Sequence, residues 1–186
     1  MIVCLDIQHH GKPYRLRDRG AQCDGVTEID YTARYVWKAE QVLRRAPEGF
    51  RVCVISDGHY LDRWRRADAM GASVYVAAHM NASGSGMADR GEVYYDSRSA
   101  PQNGPMLARE IARKLERRVP WPVRVKSTRD GDRAFSTIKE VGAIGICYEP
   151  AFLDGPRGHL LQYCDDMGKA LAEGIIRWAS LKGTMI

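Results

Sequence analysis

The sequence has no long apolar run, no basic N-terminal region and no paired-cysteine motif. No stretch approaches the ~20 consecutive apolar residues that a membrane-spanning helix needs, so we expect no membrane span. The first residues, MIVCLDIQHHG, lack the parts of a secretory signal peptide, and none is predicted. The five cysteines are odd in number and form no C-x-x-C pair. We therefore expect free thiols rather than a disulfide framework or a cysteine metal site.

The sequence also contains no internal repeat and no linker. Its 186 residues are enough for one hydrophobic core, and nothing in the composition requires a second domain. A net charge of +5 suits an anionic partner such as nucleic acid, a membrane surface or a bacterial cell wall, and selects none of them. Because no helix-turn-helix or zinc-finger pattern is present, we expect no nucleic-acid partner.

Apolar runs rich in β-branched residues alternate with segments of helical periodicity along the whole chain. This alternation predicts an α/β fold whose twisted, mixed and mainly parallel sheet carries helices on both faces. In such sheets, ligands bind beyond the carboxyl ends of the strands. Strands are predicted at 2–7, 51–56, 73–79, 91–95, 123–126 and 143–149, helices at 28–46, 61–71, 103–119 and 157–181, and a long loop at 9–27.

Polar residues follow several of the predicted strands at the edge where a ligand would bind. His9 and His10 follow the first strand, Glu28 begins the first helix, His79 ends the third strand and Glu149 ends the last. Two imidazoles and one carboxylate are a common ligand set of catalytic zinc, and a second carboxylate nearby can act as a general base. His9 and His10 cannot both point the same way from an extended chain, so at most one is a ligand.

Each of these residues has a simpler explanation when taken singly. A histidine at a strand end is more often a hydrogen-bonded structural residue, and Glu28 alone is explained by the helix dipole. Glu149 is harder to explain, since a carboxylate that ends the apolar run AIGICY is costly to bury without a partner. The joint placement of the set is what favours a metal site.

Four segments resemble the zinc-dependent N-acetylmuramoyl-L-alanine amidases, a family that includes bacterial cell-separation amidases and phage endolysins. LDIQHHG is similar to the family's L-D-x-G-H-G-G and aligns His9 with a ligand, and GAQCDGVTE is similar to G-A-x-x-x-G-x-x-E and aligns Glu28. AAHMNA is similar to S-I-H-x-N-A and aligns His79 and Asn81. YEPAFLDG is similar to V-E-x-G-F-L-S-N and aligns Glu149. The order and the strand context agree over residues 2–178.

The resemblance implies a phosphorylase/hydrolase-like fold and a site in which His9, Glu28 and His79 bind Zn²⁺. It implies that Glu149 is the catalytic base and that the scissile bond is the amide between N-acetylmuramic acid and L-alanine in peptidoglycan. Asn81 and His10 are candidates for contact with the substrate or with the metal ligands. A turn role explains Asn81 equally well. His10 stands where the family has glycine, which makes it a competitor for the metal.

We expect residues 1–186 to form a single catalytic amidase domain without a separate cell-wall-binding domain, acting as a monomer on peptidoglycan. Without a signal peptide, it would be made in the host cytoplasm as a phage endolysin and reach the wall after holin-type release. If a leader has been removed, it would be periplasmic or extracellular. The alternative enzyme is a zinc carboxypeptidase or an N-acyl-amino-acid amidohydrolase with a soluble substrate. A catalytically inactive wall-binding module and a metal-free structural protein are the non-enzymatic alternatives.

Overall fold

Strands and helices alternate along the chain in the computed structural model, which describes residues 1–9, 18–98, 100, 102–129, 136–157 and 160–183. The strands are β1 Ile2–Ile7, β2 Gln22–Cys23, β3 Val26–Thr27, β4 Arg51–Ile55, β5 Val74–Ala78, β6 Gly91–Tyr95, β7 Val123–Ser127 and β8 Ile144–Glu149. The helices are α1 Glu28–Arg45, α2 Tyr60–Ala69, α3 Asn103–Glu116, α4 Ser136–Lys139 and α5 Cys164–Gly183, with a 3₁₀ turn at Leu160–Tyr163.

Six of the strands form one sheet in the order β4-β1-β5-β8-β6-β7. Strands β4, β1, β5 and β8 are mutually parallel. Strand β6 runs antiparallel to β8 and parallel to β7. The sheet is therefore mixed and mainly parallel, as predicted, and β6 and β7 begin at the edge where β1, β5 and β8 end.

The alternation of side chains along β1 separates two hydrophobic cores. Val3, Leu5 and Ile7 belong to a large cluster with the buried faces of α1, α3 and α5, whereas Cys4 belongs to a smaller cluster with residues of α2 and α4. Successive residues of a strand point to opposite faces of the sheet, so each face carries its own helices. The predicted α/β architecture with helices on both faces is confirmed.

Helix α1 begins where the sequence predicts, and its first turn is tied to the preceding chain. The Asp30 carboxylate accepts hydrogen bonds from the Thr27 backbone N–H at 2.9 Å and from the Thr27 hydroxyl at 2.6 Å. A carboxylate in the first turn that accepts the N–H of the residue before the helix fixes where the helix starts. It sets Glu28 as the first residue of α1, at the carboxyl edge of the sheet.

Several predicted bounds differ from the structure by one to three residues, and the largest differences lie in the predicted loop at 9–27 and at the start of the last helix. Part of the predicted loop at 9–27 is a small hairpin, in which β2 and β3 pair antiparallel around Asp24 and Gly25, both with positive φ. The last helix does not begin at 157, because the chain first makes the 3₁₀ turn before α5.

The structure also bears on the membrane and cysteine predictions. None of the helices in the described ranges combines the length and the apolar character needed to cross a membrane. All five cysteines are free thiols in the structure, and Cys4, Cys147 and Cys164 are buried.

Candidate metal centre

Three predicted site residues converge at the carboxyl edge of the sheet. His9 follows β1, His79 follows β5, and Glu28 begins α1 beside them. One potential ligand atom from each lies within 4.8 Å of the other two. His10, the competing histidine of the sequence analysis, lies outside the described residues.

The Glu28 carboxylate is the centre of the cluster and is held from several directions. Its Oε1 lies 2.8 Å from Nδ1 of His79 and accepts the backbone N–H of Met80 at 3.0 Å. Its Oε2 accepts the backbone N–H of Ala21 at 3.0 Å. Gly20 packs against the carboxylate so closely that a Cβ there would lie 2.3 Å from Oε2. The carboxylate is therefore positioned before any ligand arrives.

His9 is oriented by a carboxylate on its far side. The residue has a positive φ of 64°, which turns the chain sharply after β1. Its Nδ1 lies 3.0 Å from Oδ1 of Asp18, and the same oxygen accepts the Gly20 N–H at 3.0 Å. Its Nε2 faces Oε2 of Glu28 at 3.6 Å. A carboxylate behind a metal-binding imidazole fixes its tautomer and orientation, and sequence reasoning missed Asp18 in this position.

The charges of the cluster shift the pKa values of its members in opposite directions. Burial acts to raise the pKa of Glu28, but the hydrogen bond and charge of His79, the charge of His9 and the Ala21 N–H outweigh it and lower the pKa. Burial acts to lower the pKa of His79, but the hydrogen bond and charge of Glu28, with the charge of Glu149, raise it. The site thus favours an ionised carboxylate beside its imidazoles.

Glu149 stands beside the three converging residues at the end of the neighbouring strand. Strands β5 and β8 pair in register up to Ala78 and Tyr148, and the His79 N–H donates to the Tyr148 carbonyl at 3.0 Å. Glu149 is buried, and its Oε1 lies 3.9 Å from the Cys147 sulfur. The strand register thus places a second carboxylate beside His79, and its charge contributes to the raised pKa of that imidazole.

Asn81 lies two residues beyond His79 and is buried. Its side-chain amide donates to Oε2 of Glu92 at 3.0 Å, and its Oδ1 accepts the Ala82 N–H at 2.9 Å. Its backbone forms a β-bridge with Phe152, which joins the chain after β5 to the chain after β8. These contacts make Asn81 a support for the edge that carries His79 and Glu149.

A second buried network lies beneath His9 and also escaped sequence reasoning. Arg63 of α2 is inaccessible to solvent and donates through Nη1 to Asp6 at 2.8 Å and to the Ile7 carbonyl at 2.7 Å. Tyr75 and Gln8 also donate to the Asp6 carboxylate. The signal for Asp6 was present, since it is a carboxylate inside an apolar run, like Glu149.

The donor set fits a single Zn²⁺ ion. Two imidazoles and a carboxylate leave a fourth tetrahedral position open, which is typical of catalytic zinc. Ligands ~2.0–2.1 Å from one zinc lie roughly 3.4 Å apart, so ligand atoms within 4.8 Å need only a small contraction. The backbone N–H groups on Glu28 and the Asp18 carboxylate on His9 supply the outer contacts that such sites use.

Comparisons with known proteins agree on one family. The family model described as N-acetylmuramoyl-L-alanine amidase matches residues 3–177. The endolysin of Bacillus phage SPP1 is 26% identical over 191 residues, covering 97% of this chain and 67% of the phage protein. The N-acetylmuramoyl-L-alanine amidase from Clostridium difficile 630 is 22% identical, with a TM-score of 0.81 over 96% of both chains. The amidase AmiC2 of Nostoc punctiforme is 20% identical, with a TM-score of 0.80 over 97% of both chains.

Proposed function

This chain belongs to the N-acetylmuramoyl-L-alanine amidase family, and from that premise we propose that His9, Glu28 and His79 bind one Zn²⁺ and that Glu149 is the catalytic base. The reaction of the family is hydrolysis of the amide between N-acetylmuramic acid and L-alanine in peptidoglycan. The observation that carries the assignment is the convergence of three ligand atoms, from three separate elements, within 4.8 Å of one another.

The bound ion supplies Lewis acidity, which lowers the pKa of a water molecule and polarises the scissile carbonyl. The residues of the chain hold the ion and orient its ligands. Glu28 and the two imidazoles hold the ion at the edge of the sheet, and Asp18 keeps the His9 ring in its orientation. The backbone N–H groups of Ala21 and Met80 keep the Glu28 carboxylate from turning away.

Glu149 moves the proton. Its carboxylate accepts a proton from the attacking water and delivers it to the nitrogen of L-alanine as the amide bond breaks. Its burial at the end of β8 supports this role, because a carboxylate shielded from bulk water exchanges protons with the reacting groups rather than with solvent.

We also propose that the protein acts in cell lysis as a phage endolysin. The similarity to the endolysin of Bacillus phage SPP1 supports this role. In this proposal the protein is a monomer, is made in the host cytoplasm and reaches the wall through a holin-type lesion. A periplasmic or extracellular enzyme, with a leader removed, is the other form that the role could take.

The test is mass spectrometry of purified peptidoglycan after digestion, with and without a chelator and with zinc added back. We expect free stem peptides that begin at L-alanine, their loss on chelation and their return with zinc. Intact muramoyl–alanine bonds after digestion with the zinc-loaded enzyme would contradict the substrate.

Two variants separate the proposed roles, with a third as control. Glu149→Gln should retain one zinc per chain and lose about 10²–10⁴-fold in kcat. His79→Ala should lose zinc from the purified protein. His59→Ala, which replaces a histidine outside the site, should change neither zinc content nor activity. A Glu149→Gln variant with full activity would remove Glu149 from the mechanism, and unchanged zinc in His79→Ala would remove that ligand.

A further inference from the structure

Charged residues of β6 and β7 lie beside Glu149 in the sheet, as its register partners on successive strands. Glu92 of β6 is the register partner of Glu149 on one side and of Arg124 of β7 on the other. Register partners present their side chains on the same face of a sheet, and adjacent strands lie ~4.8 Å apart. The Arg124 backbone is therefore about 10 Å from that of Glu149, on the face and near the edge where the reaction takes place.

Glu92 is already committed to protein partners. Its side chain is only 2% exposed, and its Oε1 accepts hydrogen bonds from Arg90 Nε at 2.7 Å and Lys126 Nζ at 2.9 Å. Its Oε2 accepts the Asn81 amide at 3.0 Å and the Tyr94 hydroxyl. Glu92 thus shares its single negative charge between two cations, and Arg124, the register partner of Glu92 on β7, adds a third positive charge to the same face of the sheet.

The three cations remain accessible to a ligand. The side chains of Arg90 and Lys126 are each 28% exposed, and Arg124 is exposed. The Arg90 guanidinium lies 4.5 Å from the centroid of the Phe152 ring, which holds it over the segment that follows Glu149. Its bond to Glu92 uses one of five N–H donors. We call Arg90, Arg124 and Lys126 the basic cluster.

The substrate of the proposed reaction is charged on only one side of the scissile bond. The lactyl carboxyl group of N-acetylmuramic acid is consumed in the amide, so the adjoining sugar presents no free carboxylate there. The stem peptide carries free carboxylates, beginning with the acidic residue that follows L-alanine. An extended chain advances ~3.3–3.6 Å per residue, so that carboxylate lies roughly 7–9 Å from the scissile carbonyl. This reach is comparable with the separation of about 10 Å between the backbones of Glu149 and Arg124, two strands apart.

We propose that the basic cluster binds the free carboxylate of the stem-peptide residue that follows L-alanine, and so directs the peptide across β6 and β7. The proposal rests on the proposed amidase function and adds a substrate preference to it. The enzyme then favours stem peptides whose second residue is an acid over those in which that carboxylate is amidated. A neutral amide cannot form the charge-assisted hydrogen bonds that a carboxylate forms with arginine and lysine.

A competition experiment with the zinc-loaded full chain tests the preference. Equal amounts of two peptidoglycans, with glutamate or its α-amide at the second stem position, are digested together. Mass spectrometry then gives the ratio of the two released peptides at early times, which is the ratio of their kcat/KM values. We expect a ratio of roughly 10 in favour of the acid, the factor that corresponds to about 1.4 kcal/mol for one charge-assisted contact.

Single-charge variants locate the source of that ratio. Arg124→Gln should lower the ratio at least threefold. In the wild-type enzyme, added salt should also lower the ratio, because it screens the charges of the cluster. Arg109→Gln, which removes another exposed arginine, from α3 on the other face of the sheet, should leave the ratio unchanged. The ratio distinguishes a loss of substrate recognition from a loss of stability, because a folding defect slows the cleavage of both peptidoglycans equally.

The outcomes distinguish this proposal from the one on which it rests. Release of both peptides at equal rates, or a ratio unaffected by Arg124→Gln, overturns the basic cluster as a binding site and leaves the amidase function standing. Release of neither peptide by the zinc-loaded enzyme overturns the amidase function itself.

Discussion

Because Gly20 has no side chain, the Glu28 carboxylate can lie directly against its backbone. A Cβ at this position would meet Oε2 at 2.3 Å, and the positive φ of 75° also disfavours any side chain. We expect Gly20→Ala to push the carboxylate from its place beside His79 and to weaken zinc binding by about 10–100-fold, the usual effect of disturbing the support of a metal ligand. Competition with a chelator of known affinity measures the change.

Gly25 provides the matched control for Gly20. It has nearly the same φ of 77°, but a Cβ there would have no neighbour within 4 Å. Gly25→Ala therefore reproduces the backbone strain without the collision. Equal losses of zinc affinity in the two variants would show that strain in this segment, rather than contact with Glu28, governs the site.

Arg63 and Asp6 form an ion pair with no exposed surface under the proposed metal centre. Replacing Arg63 by Met leaves the Asp6 carboxylate buried without its cation, which typically costs about 3–5 kcal/mol of stability. Urea unfolding should show this loss for Arg63→Met and a change within about 0.5 kcal/mol for Arg65→Met, since the Arg65–Asp62 pair is exposed. A loss below about 1 kcal/mol in Arg63→Met would contradict the importance of the pair.

Glu92 should make the stability of the protein fall at low pH. Burial acts to raise its pKa, but hydrogen bonds from Tyr94, Lys126 and Arg90 outweigh it and lower the pKa from 4.5 to about 2. A pKa depressed in the folded state stabilises the fold above the unfolded value. That stabilisation, of about 3 kcal/mol, is lost as the pH falls from about 4.5 through about 2.

The difference between wild type and Glu92→Gln isolates this contribution. Urea unfolding of both proteins from pH 6 to pH 3 gives the difference between their free energies of unfolding. This difference should narrow steadily below pH 4.5. Parallel pH profiles for the two proteins would mean that Glu92 titrates alike in the folded and unfolded chain.

At the scale of elements, α3 and α5 approach so closely that only glycine fits at their crossing. A Cβ at Gly174 would lie 2.5 Å from the Ile111 Cα, which is backbone and cannot turn aside. We expect Gly174→Ala to separate the helices and to destabilise the fold by about 1–3 kcal/mol in urea unfolding. Zinc content should not change, because this crossing lies away from the metal centre.

Gly183, at the end of the same helix, is the control. A Cβ there would meet nothing within 4 Å, and alanine is the better helix former, so Gly183→Ala should be neutral or slightly stabilising. Destabilisation of equal size in both variants would mean that the helix itself, and not its contact with α3, is sensitive to the change.

The strength of the sequence pattern explains which elements could be predicted. Strands β1, β5 and β8 are mainly apolar, with Asp6 inside β1 and Glu149 at the end of β8. Each is followed by polar residues, so the sequence indicated both the bounds of these strands and the residues just beyond them. The β2–β3 hairpin was not, because its strands are two residues long and are bounded by turn geometry at Asp24 and Gly25 rather than by burial. The start of α5 was misjudged because a 3₁₀ turn continues the same helical spacing.

Across the whole molecule, the sequence indicated the residues that converge but not those that hold them. His9, Glu28, His79 and Glu149 were found because each stands at the end or start of a strong element. Asp18 lies in a segment without periodicity, so the sequence pattern gave no sign of its contact with His9. Asp6 stands inside the apolar run of β1 and Glu92 directly before the run VYY, so the reasoning applied to Glu149, extended to every carboxylate in or beside an apolar run, would have found them.

Zinc should stabilise the whole fold, because its proposed ligands come from the chain after β1, the start of α1 and the chain after β5. An ion that binds only the folded chain adds about 2.7 kcal/mol at a free concentration 100 times its Kd. For a chain of 186 residues this corresponds to a Tm about 5–11 °C higher with zinc than with a chelator.

Thermal unfolding of three proteins shows whether that stabilisation arises at the proposed site. Glu149→Gln should keep the full zinc-dependent rise in Tm, because its carboxylate is assigned to proton transfer rather than to the metal. His79→Ala should lose the rise, since two remaining ligands hold zinc weakly. A full rise in His79→Ala would place the stabilising ion elsewhere, with the partly exposed thiols of Cys23 and Cys53 as the first groups to test.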